Sequence, residues 1–480
     1  MSTTTSHQTN LTLDELVGRM ERLPLSRMHK RVVALTAGGY LFDAYDIGLL
    51  SFIMPALSAD LKLTSVQIGL VFTTTFVGMF FGTLLGGTMA DYFGRLRVFK
   101  YTLLVFSFAT AATGFIHSYE ALLVLRFITG IGLGGEQPVS FTYVSEMVPS
   151  EYRGRLTGVA EAMWGFGMML AGGVSLLLVP NFGWQSAFFA GILPAGLIWF
   201  FRLGIPESPR WFMIKNRPKE AEAQLRRMED EVEKELGRKL PQAEKLNRVV
   251  VPEKSVSYRT LFSPIYRRRT IMFGLVWFFS MFGFWGVNTW LPTLLKQNGY
   301  SLYASIGYFF LMNTMSVPGC LLGAYLCDKI GRKQPIVFYW LFAAMTTVLY
   351  AWALWAHLPV AIMLACGIVS IFLMLGGFAI LYAYTPESYP TEIRGSGSGL
   401  ANAWGRVGAM ASPALVGFLY PIAGLFVTIG VIALGFVIAA IMVAILGVET
   451  RRKPLEFIPA DAVPEFQADP TAGLEVRIKA

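Results

Sequence analysis

The sequence predicts an all-α membrane protein, with twelve transmembrane helices in two pseudo-symmetric six-helix bundles. Three observations carry that prediction. Of the 480 residues, 54% are hydrophobic and only 15% are charged, whereas soluble domains average about 25% charged. The apolar residues gather into twelve stretches of bilayer-crossing length, a helix needing about 20 residues to span roughly 30 Å of hydrocarbon. Two sequence blocks also recur in both halves at nearly the same offset, which points to two homologous six-helix units in parallel orientation. The 48 glycines suit close helix packing in lipid.

In chain order, residues 1–31 read as a polar N-terminal tail with a short amphipathic piece around Leu13–Met20. They hold no apolar run with a small-residue cleavage site, so no cleaved signal peptide is expected. The first bundle occupies 32–204, with spans at 32–57, 68–90, 98–116, 121–145, 154–180 and 184–204. Residues 205–268 form a charged linker. Its stretch 217–240 has acid/base pairs at helical spacing, such as Glu222 and Arg226, and predicts surface helices. The second bundle occupies 269–447, with spans at 269–295, 303–327, 335–355, 358–385, 394–418 and 421–447, and residues 448–480 form a second tail. Cys320, Cys327 and Cys366 all fall in apolar spans. Cys320 and Cys327 stand two helical turns apart, too far for a disulfide, so packing is their expected role.

The net charge of +9 invites a nucleic-acid reading, but the distribution of basic residues argues against it. Nearly all lie on the side that holds the N-terminus; Lys62 and Lys296 sit in opposite loops, and Arg126, Arg202 and Arg406 inside spans. That asymmetry is the positive-inside pattern and places both termini in the cytoplasm. The expected partner so far is a lipid bilayer, with no nucleic acid and a functional monomer.

The repeats are specific. Leu84-Leu-Gly-Gly-Thr-Met-Ala-Asp-Tyr-Phe-Gly-Arg95 matches Leu321-Leu-Gly-Ala-Tyr-Leu-Cys-Asp-Lys-Ile-Gly-Arg332, and the segment Tyr143 to Gly154 matches Tyr384 to Gly395. The motif Gly87-x-x-x-Asp91-x-x-Gly94-Arg95 resembles the signature loop of the major facilitator superfamily; its second copy carries Ala324 in place of the leading glycine. Pro206-Glu-Ser-Pro-Arg210, Glu449-Thr-Arg and the two Glu-x-x-Pro-x-x-x-Arg-Gly segments resemble the sugar-porter-like branch. Within that branch, Leu41 to Pro55, with its Asp-x-x-Asp, looks most like bacterial niacin permeases and the synaptic-vesicle-two-related carriers. The Asp-x-x-Asp and Trp290-Leu-Pro-Thr-Leu also resemble aromatic-acid/proton symporters. Sugar porters usually carry paired glutamines in span seven; residues 282–290 hold none, which argues against a sugar.

The charged residues inside spans are the candidate machinery. Asp43 and Asp46 are one helical turn apart on one face, and a carboxylate at bilayer depth costs roughly 2.5–3.5 kcal/mol on insertion scales. At ~1.5 Å per residue, Asp46 lies ~21 Å and Asp43 ~16 Å above the cytoplasmic end, Arg126 ~28 Å and Glu136 ~13 Å. Arg126 is long enough to reach Asp46, and Asp43 matches Glu136 in depth. The expected proton-coupling set is therefore Asp43, Asp46, Arg126 and Glu136: an Asp46–Arg126 ion pair that breaks on protonation, and an Asp43–Glu136 pair sharing a proton. The resemblance agrees, since it aligns Asp46 and Arg126 with the coupling acid and arginine of proton-driven sugar porters. Glu161 lies in the same half.

In the second half, Arg406 is the only deep cation, ~18 Å from the cytoplasmic end, with Asn402 one turn below. No carboxylate matches its depth, so its expected partner is an anionic substrate, or Asp43 or Asp46 in turn with that substrate. Trp285, Phe282 and Asn288 on span seven, Trp164 on span five, Tyr45 beside the aspartates and Trp404 on span eleven are candidate ligand contacts. A flat aromatic acid can stack on such rings while a guanidinium fork holds its carboxylate. At the cytoplasmic ends, Asp91, Arg95, Glu146, Arg153, Glu207 and Arg210 face second-half counterparts Asp328, Arg332, Glu387, Arg394 and Glu449. The resemblance implies that they form a gate bridging the halves when that side is closed.

The sequence thus predicts a carrier, not an enzyme, with the proton as coupling ion and no metal or other cofactor. Its expected activity is proton-coupled symport of a small organic anion across the bacterial inner membrane, an aromatic carboxylate such as nicotinate. A sugar or sugar acid is the alternative, and a metabolite-binding membrane sensor the alternative of another class.

Overall fold

The computed structural model describes residues 11–192, 196, 200, 202, 205–242, 258–389 and 393–450; the side chains of 150, 151, 153–155, 157–162, 258 and 328 lie outside the description. Every regular element in these residues is helical. The chain begins with α1 (Leu13–Glu21), then α2 (Arg27–Asp60), α3 (Ser65–Phe93), α4 (Arg95–Thr113), α5 (Tyr119–Met147), α6 (Ser150–Phe182) and α7 (Trp184–Ala190). The linker supplies α8 (Pro209–Ile214), α9 (Pro218–Leu236) and α10 (Tyr258–Leu261). The second half holds α11 (Arg267–Gln297), α12 (Leu302–Asn313), α13 (Ser316–Lys329), α14 (Lys333–Trp355), α15 (Val360–Glu387) and α16 (Arg394–Leu446). Among the described residues, eight helical stretches are long and apolar enough to cross a bilayer.

Three predicted spans take a different form. The eighth is broken between α12 and α13. The eleventh and twelfth run within α16, broken at Gly424, whose φ of 75° leaves helical geometry. Only α7 and residues 192, 196, 200 and 202 of the sixth are described.

Local chemistry sets the ends. Thr64 and Gln67 form a capping box at the start of α3, Ser118 caps α5, and Ser301 caps α12, each satisfying an N–H the helix leaves open. Gly94, at φ 108°, turns α3 into α4, and Gly331, at φ 128°, stands at the equivalent turn before α14. Only glycine adopts that backbone without strain, so the Gly-Arg of both repeats is a turn device. Small residues bring α3 and α5 into contact: a Cβ on Gly78 or Gly130 would collide with backbone of the other helix.

Residues 11–26, the linker helices and residues 447–450 share one face, called here the terminal face. The N-terminal segment is packed rather than free. Leu16, Met20 and Leu23 join Leu225, Met228, Trp211 and Phe212 in one apolar cluster. Arg19 bonds Glu229 at 2.5 Å and Glu222 at 2.8 Å, and Arg22 bonds Glu229 at 2.6 Å. Burial pushes the Glu229 carboxyl up, but the bonds from both arginines outweigh it and hold the group below the usual glutamate range.

The halves meet from mid-depth to the far face. Phe52 meets Phe309 (ring centroids 4.6 Å), Phe76 meets Trp285 (4.8 Å) and Trp164 meets Trp285 (6.1 Å). Thr73 donates to the Met410 carbonyl at 2.9 Å. Gly69 lies against the backbone of Pro413, and Gly417 against that of Ser65.

Candidate functional site

Between the halves, at mid-depth, lies a cavity of about 330 Å³, at the lower end of the roughly 300–1,000 Å³ of ligand pockets. Its wall is mostly apolar and aromatic. Of the residues singled out from sequence, Asp43, Trp164, Trp285, Asn402 and Arg406 line it. Tyr40, Gln137 and Phe284 line it as well and were not foreseen. Tyr40 packs on Trp164 with ring centroids 5.3 Å apart.

Four predicted contacts lie elsewhere. Phe282 stacks on Phe278, centroids 6.3 Å apart, and borders Gly435, while its neighbours Met281, Phe284 and Trp285 take the wall. Asn288 is fully buried one turn beyond Trp285 and donates to the Phe284 carbonyl of its own helix at 3.0 Å. Tyr45 turns to α7 and donates to the Ala187 carbonyl at 3.0 Å. Trp404 is 46% exposed and borders Gly274. A single helical face could not have separated these, because α2 and α11 are buried almost all round.

Arg406 is held by neutral groups. Its guanidinium donates to the Gln137 side-chain oxygen and lies 3.9 Å from the Met79 sulfur. Gln137 in turn donates to the Tyr40 hydroxyl at 3.3 Å. No described carboxylate lies within ion-pairing distance of Arg406, so neither Asp43 nor Asp46 takes that place here. A cation in such surroundings is expensive unless an anion reaches it.

Two buried ion pairs flank the cavity inside the first half. Asp46 and Arg126, 2% and 0% exposed, are 3.4 Å apart. Thr110 donates to the other Asp46 oxygen, Arg126 donates to Thr113 at 2.8 Å, and its guanidinium lies 5.2 Å from the Phe188 ring centre. Neither Asp46 nor Arg126 lines the cavity, although Asp43 one turn away does. The second pair was not foreseen: Glu136 binds Arg202 at 2.6 Å, both fully buried. Arg202 also donates to the Phe99 carbonyl at 2.7 Å and lies 3.4 Å from the Phe99 ring centre. The expected proton-sharing between Asp43 and Glu136 is thereby corrected, because Glu136 has its own cation. The available signal was Arg202 itself, an arginine two residues inside the predicted end of span six. Glu161 has its side chain outside the described residues.

At the terminal face the motif residues pair within each half, by pseudo-symmetry. Arg95 binds Asp91 at 2.8 Å and Glu146 at 3.1 Å; Arg332 binds Glu387 at 2.8 Å. Glu207 accepts the Leu96 N–H at 3.0 Å, as Glu449 accepts those of Arg332 and Lys333 at 3.0 Å. Burial pushes the Glu207 carboxyl above the usual range against those backbone bonds. Arg210 binds Glu21 of α1 at 3.0 Å, and Arg394 donates to the Pro386 carbonyl at 3.2 Å. The ion pairs formed here by described side chains thus lie within the first half and its docked helices, or within the second half. Arg153 and Asp328 have side chains outside that description.

A twelve-span repeat enclosing a ligand-sized cavity between its halves defines a membrane carrier. The family model described as "Major Facilitator Superfamily" matches residues 36–413, and the chain belongs to that superfamily. It is a multi-pass membrane transporter and not an enzyme. It is 36% identical over 446 residues, 92% of this chain and 99% of the relative, to the "Niacin transporter NiaP" of Acinetobacter baylyi. It is 35% identical to the "Putative niacin/nicotinamide transporter NiaP" of Bacillus subtilis, covering 90% and 99% of the two chains. Among solved structures, the partially occluded inward-open xylose transporter XylE from E. coli superimposes with a TM-score of 0.71 at 18% identity, covering 88% of this chain and 99% of that one.

Proposed function

We propose that this transporter is a proton-coupled symporter of a small organic anion, an aromatic carboxylate such as nicotinate. It works as a monomer by alternating access in a bacterial plasma membrane, with both termini in the cytoplasm. The observation that carries the reading is Arg406: a cation in an apolar cavity, answered among the described residues only by a neutral amide and a thioether. A carboxylate is a stronger acceptor for a guanidinium than an amide oxygen, so it displaces Gln137. Trp164 and Trp285 supply faces for a flat ring, and the wall offers few polar groups to a sugar. The relatives named for niacin support the same choice.

Coupling is assigned to Asp46 and Arg126. Their 3.4 Å contact is looser than the usual 2.7–2.9 Å of a charge-assisted bond, about, whereas Glu136–Arg202 is tight at 2.6 Å. The loose pair is the one a proton can open, and Arg126 keeps Thr113 as acceptor when it does. Glu136 with Arg202 serves as the fixed strut between α5 and the end of the sixth span. The charged clusters at the terminal face are assigned to gating.

The test is nicotinate uptake into proteoliposomes under an imposed pH gradient, acid outside. Protein-free vesicles set the passive baseline, since the neutral acid crosses lipid unaided. Uptake above that baseline should rise as external pH falls and collapse with a protonophore. Asp46→Asn should retain nicotinate exchange but lose accumulation. Accumulation indifferent to the gradient, or unchanged in Asp46→Asn, removes the coupling assignment.

A further inference from the structure

We infer that Asp43 is the second recognition pole of the cavity, sharing a proton with a basic nitrogen on the substrate ring, so that the site selects nitrogen-bearing aromatic acids over plain ones; this rests on the anion reading of Arg406. Among the described side chains, three carboxylates are buried within the spans of the first half. Two are committed: Asp46 to Arg126 and Thr110, and Glu136 to Arg202. Asp43 is 3% exposed, lines the cavity, and has an Oδ1 with no hydrogen-bond partner. Buried polar atoms are nearly always satisfied, and no described residue supplies a partner to this one.

The charged groups around Asp43 are Glu136, Arg202, Asp46 and Arg406. Arg202 is held by Glu136, and Arg406 is turned to Gln137. That oxygen is itself buried and without a described partner, and because Asp43 borders the cavity a turn of its side chain brings a carboxyl oxygen to a ligand seated there. Asp43 and Arg406 border the same cavity, with the rings of Trp164 and Trp285 between α6 and α11.

A carboxylated pyridine offers matching groups. Its carboxylate takes the guanidinium of Arg406. Its ring nitrogen carries a lone pair in the ring plane, which accepts the proton of a neutral Asp43 carboxyl. If the substrate enters with that nitrogen protonated, the Asp43 carboxylate accepts instead. Either way one proton lies between oxygen and nitrogen, and no other bond forms or breaks. Benzoate keeps the first contact and lacks the second.

The experiment is titration of purified full-length protein with nicotinate and benzoate by calorimetry. Wild type should bind nicotinate about tenfold or more tightly than benzoate, the discrimination expected of a buried group left unpaired by the wrong ligand. Asp43→Leu should bring nicotinate down to the affinity of benzoate and leave benzoate within about threefold of wild type. Asp43→Asn, whose amide still donates to the ring nitrogen, should keep the preference. Should Asp43→Leu not fold, Asp43→Ala is read in the same way. Equal binding of both acids by wild type overturns the inference and leaves the anion site standing. A preference kept in Asp43→Leu, or loss of both acids alike, also overturns it. Binding of neither acid by wild type removes the anion reading and the inference together.

Discussion

Arg406→Ala tests the anion site most directly. In the structure the guanidinium bonds a neutral amide oxygen. Carboxylate binding replaces that acceptor with a charged one, and the planar fork can present two donors to it. A neutral hydrogen bond contributes about 0.5–1.5 kcal/mol net, and one to a charged group about 1.5–3 kcal/mol. The exchange therefore gains about 1–2 kcal/mol per bond, or about 2–4 kcal/mol for the fork. Truncation to alanine should weaken nicotinate binding by roughly 30- to 700-fold, at about 1.4 kcal/mol per decade. Arg406→Lys keeps the charge and loses the fork, so its loss should be smaller, roughly tenfold. Nicotinamide has no carboxylate, and any affinity it has should change by no more than about threefold. Calorimetry on detergent-purified protein measures all three. Wild-type nicotinate affinity in Arg406→Ala refutes the reasoning. Equal loss of nicotinate and nicotinamide does so too, because it would mean a damaged cavity rather than a missing anion partner.

Two other perturbations read the charges that hold the first half. Glu136→Leu and Arg202→Met should each destabilise by about 3–5 kcal/mol, because each strands a buried charge, while the double variant should recover most of the loss. Denaturant unfolding in detergent measures this, and strictly additive losses would show that the 2.6 Å pair is not a unit. Glu229 should make the docking of α1 pH-dependent. Its folded carboxyl titrates below the unfolded value, so its contribution is full above about pH 4.3 and is lost as pH falls through the folded value. Hydrogen exchange of residues 11–23, corrected for its intrinsic pH dependence, should stay slow at neutral pH and speed up below that range. Glu229→Gln should loosen the segment at neutral pH, and protection unchanged in that variant would assign the docking to the apolar cluster alone.

The helices were legible in the sequence because lipid leaves the backbone little choice. Long apolar runs could only be spans, and the repeat tied one half to the other. The break between α12 and α13 was not legible, because it falls inside a uniformly apolar stretch, whereas the kink at Gly424 lies a few residues past the predicted boundary between the eleventh and twelfth spans. For the site, depth arithmetic brought Asp46 to Arg126 because both are deep and one is long. The same arithmetic failed for Glu136, since it compared only the first and fourth spans and left Arg202 of the sixth out of account. Arg406 without a carboxylate was legible as an inventory, being the one deep cation of its half. Gln137 and Tyr40 were not, because neutral polar residues carry no such accounting in sequence. On α11 the helical spacing grouped Phe282, Trp285 and Asn288, yet only Trp285 reaches the cavity. A helix buried on most sides has several inward faces, and only its neighbours decide which one meets the ligand.

The two ends of the carrier are built from different chemistry, and this bears on how it moves. Toward the far face the halves meet through Phe52 and Phe309 and through the backbone approach of Gly69 to Pro413 and Gly417 to Ser65. Such contacts are short-ranged, so a small separation of α3 from α16 forfeits them almost completely. At the terminal face Arg95 and Arg332 each hold carboxylates of their own half. Those charges stay satisfied whichever way the halves rock, and separation there need not strand a charge. Among the described side chains, mid-depth is the only level where a charged residue of one half is bonded to the other, through Arg406 and Gln137. A carboxylate that takes Arg406 from Gln137 therefore cuts the polar tie between the halves at the pivot. Binding and rocking are then linked by one exchange of partners, which is the differential contact a ligand needs to shift a two-state equilibrium.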